Sequence, residues 1–326
     1  MLKKIGLLLI LIFLVGCSLL VGTHELSLSG LQQGDPNHWL VLVKVRLPRT
    51  ISLIIAGGII SLCGKIMQHM MQNKFVASES IGLSDSARLG ILLVMLFLPN
   101  ASNLIRTTAA FVFAYAGVLF FLFLSQFLPK KDPMMLPLTG VMFGNIIGAI
   151  SSFLAYRFQL VQNVSSWLQG NFATIMAGQY ELLYLTIPVF GLLYFLAYEI
   201  TIAGLGEGAA KSLGINYLFL RFAVFALVAF ASSVVLLTVG QIPFLGIVIP
   251  NMIGMVFGDH LKNNLLLISF AGSAFLLLCD VLARIVIAPY EMPVSVVAGV
   301  LGGCCFLILL LGRKFQRRKN SFFCSF

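Results

Sequence analysis

The sequence predicts an all-α, polytopic membrane protein of about ten transmembrane helices, one of them short and broken. Three observations carry this. The 326 residues are 60% apolar and only 10% charged, whereas soluble domains sit near half apolar and a quarter charged. Apolar runs recur along the whole chain, so a lone signal peptide or anchor does not account for them. The runs are continuous rather than alternating, which favours helices over a membrane barrel, and a helix in lipid satisfies its own backbone hydrogen bonds.

The first segment, 5–22, follows Lys3 and Lys4. Its Leu14-Val15-Gly16-Cys17 imitates a lipoprotein signal, but the run stays uncharged for 18 residues, enough to span, and reads as a helix. The second, 50–71, opens behind Arg46-Leu47-Pro48-Arg49, so two arginines flank a proline where the chain enters lipid. Segments 82–98, 105–128 and 136–157 follow. In the last of these, Gly140, Gly144, Gly148 and Ser152 make a small-residue stripe every four positions. Such a stripe lets another backbone approach, and packing within one subunit is favoured over dimerisation. Segments 183–203 and 218–239 come next. Segment 243–258 is short and interrupted by Pro243, Gly246, Pro250, Gly254 and Gly258, as suits a re-entrant or half-length helix buried in protein. Segments 264–287 and 293–312 complete the set. In the former, Asp280 and Arg284 are four apart and share a helix face. Charges in lipid are costly and are usually paired or functional. No soluble domain interrupts the chain, which forms one transmembrane domain over 1–326.

The net charge of +10 does not signal nucleic-acid binding, because the basic residues sit in short clusters between apolar runs. With both termini in the cytoplasm, 13 of the 21 basic residues fall inside, among them Lys74, Lys130, Lys131, Lys211 and the tail 313–319. Lys44, Arg46, Arg49, Arg106 and Arg157 fall outside. That bias obeys the positive-inside rule, and an even number of spans returns the C-terminus to the cytoplasm. The longer outer connections are 23–49 and 158–182, the second with Trp167 and an expected short interfacial helix. The main inner connection is 204–217.

Six cysteines, none in a CxxC pair, and four scattered histidines offer no metal site. No GxxxxGK[ST] loop is present, so the chain has no ATP site of that kind. No nucleophile–base set stands out, and the chain is expected to be a transport component rather than an enzyme. Arg46, Arg49 and Arg284 are candidates to serve an external acidic partner; the bland alternatives are snorkelling anchors for Arg46 and Arg49 and, for Arg284, a structural ion pair with Asp280 that holds a helix end. The inner run Gly206-Glu207-Gly208-Ala209-Ala210-Lys211-Ser212-Leu213-Gly214 predicts a short helix stopped by a left-handed Gly214. Such a helix suits a peg for a cytosolic motor. Gly57, Gly58, Ser61 and Gly64 leave room along the second helix for a translocation path. Gln68, beside His69 and Met67, Met70 and Met71, reads as packing or pore lining in preference to metal ligation.

In order, several motifs join these pieces: Arg46-Leu47-Pro48-Arg49, Gln68 through Asn73, Ile81-Gly82-Leu83 and the Gly206–Gly214 loop. Gly240-Gln241-Ile242-Pro243-Phe244-Leu245-Gly246 with Pro250, Asp280 with Arg284, and Pro289-Tyr290-Glu291-Met292-Pro293 complete the series. Over nearly the whole chain the set resembles the permease subunits of binding-protein-dependent ABC importers for iron-siderophores, haem and cobalamin. Asn251 and Gly254 stand where family members often carry His and Arg, and Ser84-Asp85-Ser86-Ala87-Arg88 where small residues with a glycine are common. With Gln162 through Gly170, these variants look like the branch that imports ferric catecholate-type siderophores such as petrobactin or enterobactin. The resemblance implies a ten-helix multi-pass permease of the bacterial cytoplasmic membrane, carrying no cofactor of its own. It implies a second permease, in this branch usually a different homologous chain, and two cytoplasmic ATPases that bind ATP and Mg. An extracytoplasmic siderophore-binding lipoprotein would meet Arg46, Arg49 and Arg284 through glutamates, and residues 206–214 would meet the ATPase. A haem or cobalamin permease and an ion-coupled secondary transporter are the alternatives.

Overall fold

The computed structural model describes residues 2–22, 36–127, 135–288 and 290–323. Lys130, Lys131, Pro289 and Cys324 lie outside them. Helices occupy all ten predicted positions, and among the described residues no strand forms.

Helix α1 is Leu2–Leu20. Helix α2 is continuous over 36–70, made of Pro36–Val41, a π-helical turn Leu42–Arg46, and Leu47–Met70. A 3-10 turn, Ser78–Ile81, leads to α3 (Leu83–Phe97), followed by α4 (Asn103–Ser125) and α5 (Met135–Arg157). Helix α6 (Val161–Leu168) falls in the outer connection where a short helix is expected. After a 3-10 turn Glu181–Leu185, α7 (Thr186–Phe195) and α8 (Ala197–Ala203) form a span bent by 59°. The sequence gives no sign of that bend. Helices α9 (Glu207–Ser212), α10 (Tyr217–Val239), α11 (Leu245–Phe257), α12 (Leu261–Ile285) and α13 (Val294–Phe323) follow. By length and composition α2, α4, α5, α10 and α12 can each cross a membrane, and the bent pair makes up to six.

The start of α2 differs from expectation. Arg46-Leu47-Pro48-Arg49 lies inside this helix, not at its mouth. A helical proline leaves the carbonyl four residues back without its donor. Here the chain widens into the π turn, with Leu47 N–H reaching Leu42 O, a usual way to absorb such a defect. The carbonyl that Pro48 cannot serve, Lys44 O, accepts instead from Ala177 N–H at 3.1 Å. Pro250 repeats the pattern in α11, and its stranded acceptor, Gly246 O, takes the side-chain amide of Gln68 at 3.4 Å.

Helix α2 is the most enclosed of the spanning helices, whereas α4 and α5 are mostly exposed. Along its length α2 packs against α12. A side chain at Gly57 would come within 2.7 Å of Gly272 O, Gly58 faces Ser273, and Gly272 abuts Ser61. Gly64 lies directly on the Gly246 backbone of α11, and Ser273 Oγ donates to Ile54 O at 2.6 Å. The small residues of α2 therefore serve close helix packing. Gly57, Gly58, Ser61, Gly64 and Gln68, the residues expected along a translocation path, are buried inside this chain against α11 and α12. The Gly140, Gly144 and Gly148 stripe faces Ser80, Gly82 and Asp85 of the same chain, so its use is internal, as favoured. Gly64→Val should clash with backbone that cannot rotate away. We expect a cost of about 3 kcal/mol, read as a lower melting temperature of the purified chain, with Gly191→Ala, where the added Cβ meets nothing, as the neutral control.

Between α10 and α11 the chain is extended. Gln241 N–H donates to Leu168 O at 2.9 Å, Asn171 N–H to Val239 O at 3.0 Å, and Ser295 N–H to Gly170 O at 3.1 Å. Gln241 Nε2 donates to Glu79 at 3.0 Å. Non-helical backbone among spanning helices is tolerated when protein satisfies it in this way.

Candidate functional site

The chemistry-bearing residues gather at the two ends of the α2–α12 pair. At the end formed by the start of Leu47–Met70 and the close of α12, the ion cluster is larger than the spacing of Asp280 and Arg284 suggests. Arg49 donates through Nε and Nη2 to Asp280 Oδ1 at 3.0 and 2.7 Å, and through Nη1 to Glu291 Oε2 at 2.7 Å. Arg284 Nη2 pairs with Asp280 Oδ2. The other arm of Arg284 donates to Ser18 O at 3.0 Å and Val21 O at 2.6 Å, while Arg46 Nη1 donates to Leu19 O and Leu20 O, both at 2.6 Å. These carbonyls belong to the last turn of α1, where a helix lacks internal donors and attracts cations.

The structure brings Arg46, Arg49 and Arg284 together, but not with their charges presented to the outside. They are 4%, 5% and 4% exposed, and Asp280 is fully buried. The reason is the early start of α2, which sets these arginines against the end of α1 and the non-helical segment leading into α13. Glu291, whose side chain is 18% exposed, is the outermost group of the cluster. Sequence reasoning did not link Arg49 to Asp280 or Glu291, which are 231 and 242 residues away.

At the opposite end, α9 forms as expected. It is preceded by Gly206 at φ 110° and followed by Gly214 at φ 77°, a backbone region that glycine enters without strain. Lys211 pairs with Glu207 at 2.8 Å along its exposed side. Leu205 and Leu213, at its two ends, are 72% and 63% exposed. Gln72, itself in the left-handed region at φ 49°, donates through Nε2 to Gly204 O at 3.1 Å. This ties the root of the loop to the end of α2.

Beside that root lies a second ion cluster that sequence reasoning missed. Lys65 is only 5% exposed, and its Nζ meets Asp259 Oδ1 at 3.1 Å. Lys74 Nζ takes Asp259 Oδ2. Burial alone would raise the Asp259 carboxyl, but hydrogen bonds from Lys74 and Lys65 hold it down at about 2. The bridge therefore stays ionised above that value. Asn251 donates through Nδ2 to Lys74 O at 2.7 Å and fixes the same corner. A cavity of about 280 Å³ opens between these groups and Gly204. No grouping of three or more His, Cys, Asp or Glu suited to a metal occurs among the described residues.

A family model described as the FecCD transport family matches residues 8–312. The petrobactin import system permease protein YclN of Bacillus subtilis is 42% identical over 308 residues, covering 94% of this chain and 98% of that protein. The ferric-anguibactin transport system permease protein FatD of Vibrio anguillarum is 36% identical over 304 residues, covering 93% and 97%. Among solved structures, a metal-chelate type ABC transporter in an inward-facing conformation superposes with a TM-score of 0.84 at 26% identity, covering 95% of this chain and 99% of that one.

Proposed function

The chain belongs to the FecCD transport family, and we infer that it is the permease subunit of an ABC importer that carries a ferric siderophore across the membrane. The observation that carries this is the 42% identity, over nearly both full lengths, with a petrobactin permease. It agrees with the resemblance of Asn251, Gly254 and the runs 84–88 and 162–170 to the catecholate branch. The chain contributes the membrane path and performs no covalent chemistry.

The working assembly follows from the same reading. A second, homologous permease completes the membrane unit. Two cytoplasmic ATPases bind ATP and Mg and seat against α9. A siderophore-binding lipoprotein delivers the ferric complex to the end that carries the Arg49–Asp280 cluster. Both termini then lie in the cytoplasm. Because Arg46, Arg49 and Arg284 are already engaged within the chain, their part in docking is to hold the shape and net positive charge of the receiving surface, with Glu291 at its edge.

With the small face of α2 closed by α11 and α12, the path for a large anionic complex runs between the two permeases. Helix α5 supports this, since it leaves Leu138, Met142, Ile146 and Phe153 exposed. An apolar wall without charge traps releases such a substrate quickly. A self-sufficient ion-coupled carrier would instead place ionisable groups around broken helices at mid-depth. Here Arg49, Lys65, Asp280 and Arg284 are paired near the two ends of α2 and α12.

The test has two parts. Deleting the chain should abolish uptake of a ferric catecholate, and the reintroduced gene should restore it. The purified permease–ATPase complex without its lipoprotein should bind ferric catecholates weakly. Tight, selective binding there would contradict the conduit and favour a central carrier site.

A further inference from the structure

The cavity beside Lys65 is lined by chemistry that is unbalanced in charge. Two ammonium groups, Lys65 and Lys74, share the single carboxylate of Asp259. Asp259 remains ionised, so this trio carries one net positive charge. Each ammonium has three N–H donors, and among the described residues each meets one acceptor, Oδ1 or Oδ2 of the same carboxylate. The remaining donors border a cavity of about 280 Å³. Lys65, at 5% exposure, is costly to bury with so little acceptance.

The position of the cavity is equally informative. Gly204, the root of the α9 loop, forms part of its wall, and Gln72 crosses from α2 to hold Gly204 O. The cavity therefore adjoins the root of the α9 loop. It also sits at the C-terminal end of α2, where the helix dipole repels anions and no free backbone N–H groups cluster. His69, whose buried Nε2 has no partner among the described residues, lines the same cavity, and the two lysines provide the charge. A monoanionic carboxylate balances their excess of one charge, while a phosphate dianion overshoots it.

We propose that this basic cavity is a second docking site for the ATPase, receiving an aspartate or glutamate side chain of that partner between Lys65 and Lys74, alongside the seat of α9. The proposal rests on the permease reading above. The inserted carboxylate takes over part of the lysines' donors from Asp259. Charge-assisted contacts of this kind gain strength once the interface excludes water.

The experiment uses the reconstituted permease–ATPase complex and three variants, namely Lys74→Gln, Lys74→Glu and a flexible linker in place of 206–214. Lys74 is half exposed, so its replacement leaves folding intact, which the melting temperature checks. We expect Lys74→Glu to weaken ATPase affinity for the permease about tenfold, and Lys74→Gln less. Zero-length carbodiimide coupling of the wild-type complex should join Lys74 to an acidic residue of the ATPase, located by mass spectrometry. The proposal is overturned if both Lys74 variants keep wild-type affinity and Lys74 couples only within its own chain. It is equally overturned if affinity is unchanged while the variants lose binding of inorganic phosphate, which would make the cavity a free-anion site. Failure of the wild-type chain to bind the ATPase at all would instead overturn the permease reading. Loss of binding with the linker but not with Lys74→Glu would sink this inference alone.

Discussion

Asp280→Ala is expected to cost the chain about 3–5 kcal/mol and to leave little folded protein in the membrane. Asp280 is fully buried and accepts from both Arg49 and Arg284. Its removal strands two guanidinium groups among helices that cannot let water in. Breaking a buried pair from one side is far worse than never having it, because the remaining charge keeps its desolvation cost. Asp280→Asn should be nearly as damaging, since it keeps shape but not charge. Glu291→Gln, at the partly open edge of the same cluster, should cost about 1 kcal/mol or less. Thermal unfolding of the purified variants gives the ranking. Equal melting temperatures for Asp280→Ala and Glu291→Gln would show that the cluster is not what anchors α1, α2 and α12 to one another.

Replacing 206–214 with a flexible linker should bring uptake down to the level of a strain lacking the chain. The helix α9 is short, and its ends are set by two glycines in backbone regions that a linker does not reproduce. Leu205 and Leu213 stand exposed at those ends, a large apolar pair flanking the Glu207–Lys211 face, as an interaction site would have. A flexible segment could still touch the ATPase but could not transmit force. ATP hydrolysis should therefore persist while transport stops. The point variant Leu213→Asp should fall between, lowering uptake without changing the melting temperature. Uptake and hydrolysis that both remain normal after the linker exchange would rule out a coupling role for this loop.

Much of the fold was legible because membrane helices announce themselves through continuous apolar runs, and all ten positions hold helices. The four-residue spacing of Asp280 and Arg284 was equally plain, as was α9 between its glycines. The start of α2 was not. Pro48 fits a helix entrance better than an interior, and nothing nearby signals that Ala177 will accept the duty of serving Lys44 O. The small residues Gly57, Ser61 and Gly64 were ambiguous for a different reason. A smooth helix face suits an open path and a tightly packed neighbour alike, and only the positions of Gly272 and Gly246 decide between them. Lys65 and Asp259, and Arg49 and Glu291, pair across 194 and 242 residues. No local pattern encodes which distant charge a buried charge will meet.

The pairing of α2 with α12 has a mechanical consequence. Glycines zip their middle, Arg49–Asp280 fastens one end, and Lys65–Asp259 fastens the other. Asp259 and Asp280 are 21 positions apart on the same chain, a reach of about 30 Å at helical rise. Two rods joined at both ends and along their length cannot slide past each other. They tilt as one beam. A tug on Asp259 is then delivered, without slack, to the buried Arg49 and Arg284 at the far end of the pair.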